Sequence, residues 1–252
     1  MNKTLAVFLI MTMLCLATTA SIAVPANGNA KDNSQAQDNS NPFANKDIVK
    51  VEFIHYAKSV NHAKPIPPVT DPCYKLMGVK WSSLPVKYNI NPINQEGLSQ
   101  AFVLSTISSA AETWDAATSK ELFNNAYNVD TTAAYGVRDS KNSIVFGNYS
   151  NNAVIAVTSV WYSTKTKQIQ EFDMLFNNYY NWGDASINPS DASVMDLQDI
   201  ATHELGHSIG LDDIYTSTCS AVTMYGYGTG GETQKRTLEP SDITGLRKIY
   251  GN

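Results

Sequence analysis

The chain has 252 residues, 43 % of them hydrophobic, and a formal net charge of −5. Those numbers allow one ordinary domain with a core, plus appendages. The mild acidic balance argues against nucleic acid or an anionic membrane as the main partner.

Lys3 is followed by an apolar run from Leu5 to about Ala17 and then by small residues at Thr18, Thr19, Ala20, Ser21 and Ala23. This is the three-part shape of a secretory signal peptide, with cleavage after Ala20 or Ala23, so residues 1–23 are expected to leave the mature chain. The run is short for a membrane span, and no other stretch is long and apolar enough. Loss of the signal, which carries Cys15, leaves Cys73 and Cys219. An even pair in an exported protein suggests one disulfide.

Residues 24–47 are rich in Asn, Asp, Gln, Ser, Ala and Gly, and such a segment cannot bury enough surface to offset its ordering entropy. Residues 48–72 hold a short apolar patch (Ile48, Val49, Val51, Phe53, Ile54) and then Pro65, Pro67 and Pro68, which favour an extended connector. Residues 24–72 thus read as a disordered leader or short propeptide. Folded sequence is expected from near Cys73, giving a domain at 73–252.

Within it, residues 84–90 alternate as a strand does. Residues 99–117 read as a helix with Leu104, Ile107, Ala111 and Trp114 as its buried stripe. Residues 143–147 look like a buried strand. Residues 153–162 and 168–176 look like a hairpin turning at Thr164–Lys167. Residues 177–193 read as a loop, about Val194 to Gly210 as a second helix, and about Pro240 to Tyr250 as a last one. The order predicts an α+β domain.

His203 and His207 stand four apart in the second helix, so both imidazoles lie on one face, where neutral rings are good zinc ligands. Glu204 points slightly aside, toward a metal-bound water rather than the metal. Gly210 permits a sharp turn three residues on. Such a turn can bring back Asp213. The chain has four histidines. His55 and His62 fall in the leader, so the third ligand is expected to be a carboxylate, another group or water. Glu232 or Glu239 is the alternative to Asp213.

The run His203-Glu204-Leu205-Gly206-His207-Ser208-Ile209-Gly210-Leu211-Asp212-Asp213 resembles the extended zinc motif of the metzincin peptidases, most closely the matrixin group. Ala221-Val222-Thr223-Met224-Tyr225-Gly226-Tyr227 resembles the family's Met-turn, with Met224 under the metal. Leu238–Gly251 resembles the closing helix, and Phe172–Asn177 the strand before the active-site loop. The aspartate at Asp213, where most metzincins have histidine, is similar to the snapalysin-like enzymes. Two histidines and one carboxylate are a sound set for catalytic zinc.

The resemblance implies a single catalytic domain with a mixed twisted sheet, an active-site helix below it and a small C-terminal subdomain ending in a helix. It implies a secreted zinc endopeptidase, expected as a monomer, acting on protein or peptide substrates with Glu204 as general base. Membrane association after signal cleavage is not expected. Tyr225 and Tyr227 are candidates to assist the oxyanion. The family often carries structural calcium, but the Asp and Asn residues of 173–191 lack calcium-loop spacing. Substrate is expected to lie extended along a strand edge at Ala153–Tyr162.

The competing class is a secreted binding module that holds zinc without cleaving; intact Glu204 speaks against it. Matrixins are often kept latent by a propeptide cysteine on the zinc. Cys73 could act so, but the arginine and glycine of that switch are absent around it. A Cys73–Cys219 disulfide is the favoured expectation.

Overall fold

The computed structural model describes residues 47–58 and 72–252. The expected signal peptide, residues 24–46, and His62 with the prolines after it lie outside those residues. The elements in chain order are β1 (Ile48–Ala57), β2 (Lys75–Leu76), β3 (Lys80–Trp81), β4 (Asn89–Ile90), α1 (Gln100–Asp115), β5 (Asn128–Val129), β6 (Ser143–Gly147), β7 (Val154–Ser163), β8 (Gln168–Asn177), β9 (Asn181–Gly183), β10 (Val194–Asp196), α2 (Leu197–Ser208), β11 (Leu211–Asp212), β12 (Tyr227–Gly228) and α3 (Pro240–Tyr250).

The main sheet runs β12-β1-β7-β8-β6-β4-β5, with β3 beside β8. Its pairs are parallel except for β1 with β7 and β7 with β8, so β7 runs against its neighbours. The β7–β8 hairpin turns through Thr164–Lys167, as its sequence predicts, with Lys167 in the left-handed region (φ 56°). Phe172, Met174 and Phe176 of β8 enter one core with Ile155 and Val160 of β7, Val103, Ile107 and Trp114 of α1, and Ile200, Ala201 and Leu205 of α2. Leu175, on the opposite face of β8, packs with Val145 and Ala133. This is the period-two alternation of a sheet covered on both faces. No helix among the described residues is long and apolar enough to cross a membrane.

Several boundaries differ from the sequence reading. The strand expected over 84–90 shrinks to Asn89–Ile90; Pro85 has no amide hydrogen to give a ladder, and Val86 makes only an isolated bridge to Phe123. In α1, Val103 and Ala110 join the buried stripe, whereas Leu104 is only half-buried. Val194–Asp196 is not helix but a strand parallel to Asn181–Gly183, inside the stretch expected as loop. Asp196 then caps α2 by accepting from the Asp199 amide.

The largest correction concerns the leader. Residues 48–57 are a strand inside the main sheet, with nine register pairs to β7 from Ile48–Ser163 to Tyr56–Val154. Val49, Val51, Phe53 and His55 alternate inward on it. The edge at Ala153–Tyr162, expected to be exposed, is therefore covered.

Cys73 and Cys219 form a disulfide, Cα to Cα 5.4 Å, across a sequence separation of 146 residues. Cys73 is thereby engaged and not a free thiol. A constraint on so long a loop limits the unfolded chain strongly, so the Cys73→Ser/Cys219→Ser double variant should lose about 2–4 kcal/mol of unfolding free energy, read from urea titrations.

Candidate metal centre

Helix α2 is held at both ends and along one side. At its start Asp196 receives both the Asp199 amide and the Arg236 guanidinium, which also binds Asp184. At its end the Trp81 indole N–H donates to the Ser208 carbonyl (2.8 Å), one of the last carbonyls that no helix amide reaches. Along its side the Trp114 indole donates to the Thr202 carbonyl (2.7 Å), locking α1 to α2. Every α2 residue except Gln198 is buried.

On this helix the one-turn spacing of His203 and His207 brings their Nε2 atoms to 3.1 Å. Each Nδ1 faces a backbone carbonyl, His203 that of Thr223 (2.7 Å) and His207 that of Leu211 (3.0 Å). A carbonyl there needs an N–H, so both rings carry hydrogen on Nδ1 and turn an Nε2 lone pair inward.

The third donor comes from the turn after the helix. Gly210 has φ +102°, and a Cβ on it would lie 2.4 Å from the Val79 carbonyl oxygen. Only glycine fits both demands. The chain then pairs with β2 as β11 and returns Asp213, whose Oδ1 lies 3.3 Å from His203 Nε2 and 3.4 Å from His207 Nε2. The Tyr215 hydroxyl donates to Asp213 Oδ2 (3.0 Å) and fixes the carboxylate's rotation. Asp212 is turned away; its carboxylate takes the Asp213 amide and Lys75. Glu232 lies near Lys235 and accepts from the Thr229 amide, while Glu239 caps α3, so neither alternative carboxylate reaches the centre.

The donor set fits zinc. Four ligands at about 2.0–2.2 Å in a tetrahedron stand about 3.3 Å apart, and the three observed donor spacings bracket that value. Asp213 Oδ1 and Glu204 Oε1 are buried without a hydrogen-bond partner, a costly state unless a cation is the intended partner. The electrostatics agree. Burial opposes charge on every member, yet Asp213 and Glu204 outweigh it and raise the His207 imidazole, while the two imidazoles hold Asp213 well below the usual carboxylate range. The nest attracts one positive charge.

Glu204 sits beside the donors on the same helix. Its Oε2 accepts from the Thr158 hydroxyl of β7 (2.5 Å). Burial pushes the carboxyl up to about 7, with His207 and the Thr158 bond opposing. Its free oxygen faces His55 Nδ1 at 3.6 Å. Burial first, then the neighbouring His203, holds the His55 ring neutral, well below its ordinary pKa. Among the described residues the clusters of three ligating side chains are His203, His207 and Asp213, and His55, His203 and Glu204, which share His203. The aspartates of 173–191 are used elsewhere: Asp173 on the Gly136 and Ser143 amides, Asp184 on Arg236, Asp191 on Ser193.

The floor is the segment Val222–Gly226. Met224 is buried beneath α2 at Gly206, where a Cβ would lie 2.3 Å from its Sδ. Ile214 bridges Tyr225, tying this segment to the chain just after Asp213. Asp242, the N3 residue of α3, accepts from the Thr223 and Met224 amides and from Glu239. A buried Lys235 reaches the Tyr227 carbonyl (3.0 Å) and Asp199, holding β12 against α2. Tyr225 and Tyr227 stack edge to face on this wall.

The sequence reading missed Thr158, Tyr215, Thr223 and His55. Thr158 and Thr223 act through contacts across the fold and carry no local signal, and Tyr215 bonds Asp213 two residues before it, a short contact that no sequence pattern announces. His55 did carry one: from Val49 the run Val-Lys-Val-Glu-Phe-Ile-His puts Val49, Val51, Phe53 and His55 at period two.

A family model, the matrixins of the M10 peptidases, matches residues 80–251. The chain belongs to the matrixin family. A stretch of 52 residues is 44 % identical to matrilysin of Rattus norvegicus, covering 21 % of this chain and 18 % of that protein.

Asp242→Ala removes the acceptor of three amides. It should cost about 2–4 kcal/mol of stability in thermal or urea unfolding. By shifting Thr223 it should also weaken metal binding about 10–100-fold, read by competition with a chromophoric chelator.

Proposed function

We propose that the chain is an exported zinc metalloendopeptidase with His203, His207 and Asp213 as metal ligands and Glu204 as general base. The observation that carries this reading is the convergence of three buried donors at tetrahedral spacing, with a partnerless carboxylate oxygen of Glu204 beside them.

Zinc held there supplies Lewis acidity, which polarises a peptide carbonyl and acidifies water. The chain supplies the rest. Glu204 Oε1 takes the proton of the attacking water and returns it to the departing amine, while the Thr158 hydroxyl holds its other oxygen in place. Tyr215 keeps Asp213 oriented toward the two imidazoles. Tyr225 and Tyr227 stand on the wall as candidates to steady the developing oxyanion. A substrate would lie extended, pairing its main chain with β7 on one side and β12 on the other. Export is supported by the signal-like start of the sequence and by the Cys73–Cys219 bond, which persists in oxidising compartments.

The purified protein should contain close to one zinc per chain, and casein hydrolysis should vanish with a chelator and return with added zinc. Zinc content below about half an equivalent after careful preparation would sink the assignment.

Single substitutions separate the roles. Glu204→Ala should keep the metal and lower turnover about 10²–10⁴-fold, since it removes a base and not a ligand. Asp213→Ala should weaken zinc binding by about 100-fold or more, beyond the loss of a supporting contact, whereas Asp212→Ala and Glu232→Ala should leave it near wild type. The reverse order in a metal titration would move the third ligand elsewhere.

A further inference from the structure

Strand β1 occupies the place that an extended substrate needs. On one side it pairs antiparallel with β7. On the other it pairs parallel with β12, Tyr56 against Tyr227 and Ala57 against Gly228. Its amides alternate between the two walls: Tyr56 donates to the Gly226 carbonyl, Ala57 to that of Ala153 and Lys58 to that of Gly228. A segment that bonds both rims at once closes the cleft between them.

Its inward side chains meet the metal centre. The Phe53 ring lies flat on His207, centroids 4.2 Å apart and 11° between planes. Two residues on, the His55 ring stands 4.0 Å from the ring of His203. His55 is fully buried, and neither of its nitrogens has a hydrogen-bond partner. A buried imidazole with both nitrogens orphaned is unstable against water unless something else takes a lone pair. The space it fills is fitted to it: a Cβ on Gly228 would lie 3.0 Å from its Nε2. The outward face is fastened too, Lys50 to Glu52 along the strand and Lys165 to Asp47 at its start.

We propose that β1 is a built-in occupant of the substrate cleft whose His55 imidazole, grouped in this structure with His203 and Glu204, closes onto the fourth position when the metal is bound, so that the chain carrying residues 47–58 is latent. This rests on the zinc-peptidase reading above. His55 brings its side chain, not a peptide carbonyl, to the centre, so the strand binds as a substrate does and is not cut. Among the described residues no free thiol is available to block the metal, because Cys73 and Cys219 are joined to each other. Neutral imidazole is a good fourth donor to a site of two histidines and a carboxylate.

The test uses the full chain loaded with cobalt(II), whose visible absorption reports its ligands. Wild type, His55→Gln and Val51→Glu are compared by spectrum, metal content and turnover of a fluorogenic peptide. Val51→Glu leaves the imidazole intact but puts a charge on the strand's buried face, so it probes the strand without touching the ligand. Wild type should turn over slowly. Both variants should hold one metal, change the cobalt spectrum and raise kcat/KM at least about tenfold. Circular dichroism confirms that each variant is folded.

If all three forms bind one metal with the same spectrum and the same kcat/KM, the inference is overturned and the peptidase reading stands. If none binds metal and none hydrolyses peptide, both fall together. If Val51→Glu alone is activated and His55→Gln keeps the wild-type spectrum, His55 is not a ligand and the inference fails in that form.

Discussion

Two imidazole lone pairs and a carboxylate oxygen face one another across little more than 3 Å in a deeply buried place. Unaided, such a cluster drives its members apart or forces a proton between them. Much of the lower half of the molecule holds it together. The Thr223 and Leu211 carbonyls fix the rings, Tyr215 fixes the carboxylate, and Gly210 lets the chain double back. Each of these is held in turn: Thr223 by Asp242 of α3, and α2 by tryptophans at its side and end. Stability is spent so that charge can be concentrated, which is the expected cost of a functional centre.

The upper half serves the same centre differently. β7 is the strand that runs against its neighbours, so the edge it turns to β1 carries a ladder that takes an antiparallel partner. Thr158 on that strand binds Glu204, which couples the ladder to the chemistry through one hydroxyl. β12, the opposite rim, is placed by a lysine with no exposed surface. The rims and Glu204 therefore belong to one connected frame, and a peptide bonded to both rims, as the proposed reaction requires, would meet the donors without separate positioning.

Much of this was legible in the sequence, and for identifiable reasons. The hairpin β7–β8, strand β6, helix α3 and the helical spacing of His203 and His207 all rest on local periodicity or turn residues. The turn at Gly210 and the return of Asp213 followed from one glycine and a short count. Boundaries failed where a tertiary partner decided the outcome: Val194–Asp196 reads as helix until β9 lies beside it. The leader failed for another reason. Its composition before residue 48 is that of a disordered tail, and that judgement was carried too far, although Lys50 and Glu52 alternate with Val49, Val51 and Phe53 in an ordinary strand pattern. Thr158 was beyond reach, since its partner Glu204 lies 46 residues away and leaves no trace in its neighbours, and Tyr215, although only two residues from Asp213, sits in no pattern that singles it out.

The bond between Cys73 and Cys219 turns residues 73–219 into a closed covalent ring that contains α1, β6, β7, β8 and the donors His203, His207 and Asp213. The ring decides what a proteolytic nick does. A single cut at an exposed loop inside it, such as around Ile187 at 82 % exposure, opens the circle without parting the pieces. Met224, β12 and α3 lie outside. A cut just after Cys219 leaves the floor of the centre held by non-covalent contacts alone, among them the Thr223 carbonyl on His203, the Ile214–Tyr225 bridge, Lys235 on Asp199 and Arg236 on Asp196. Scission is thus unequal in its effect: the ring with the three donors survives a nick as one particle, and the segment that supports it from below is the part that can be lost.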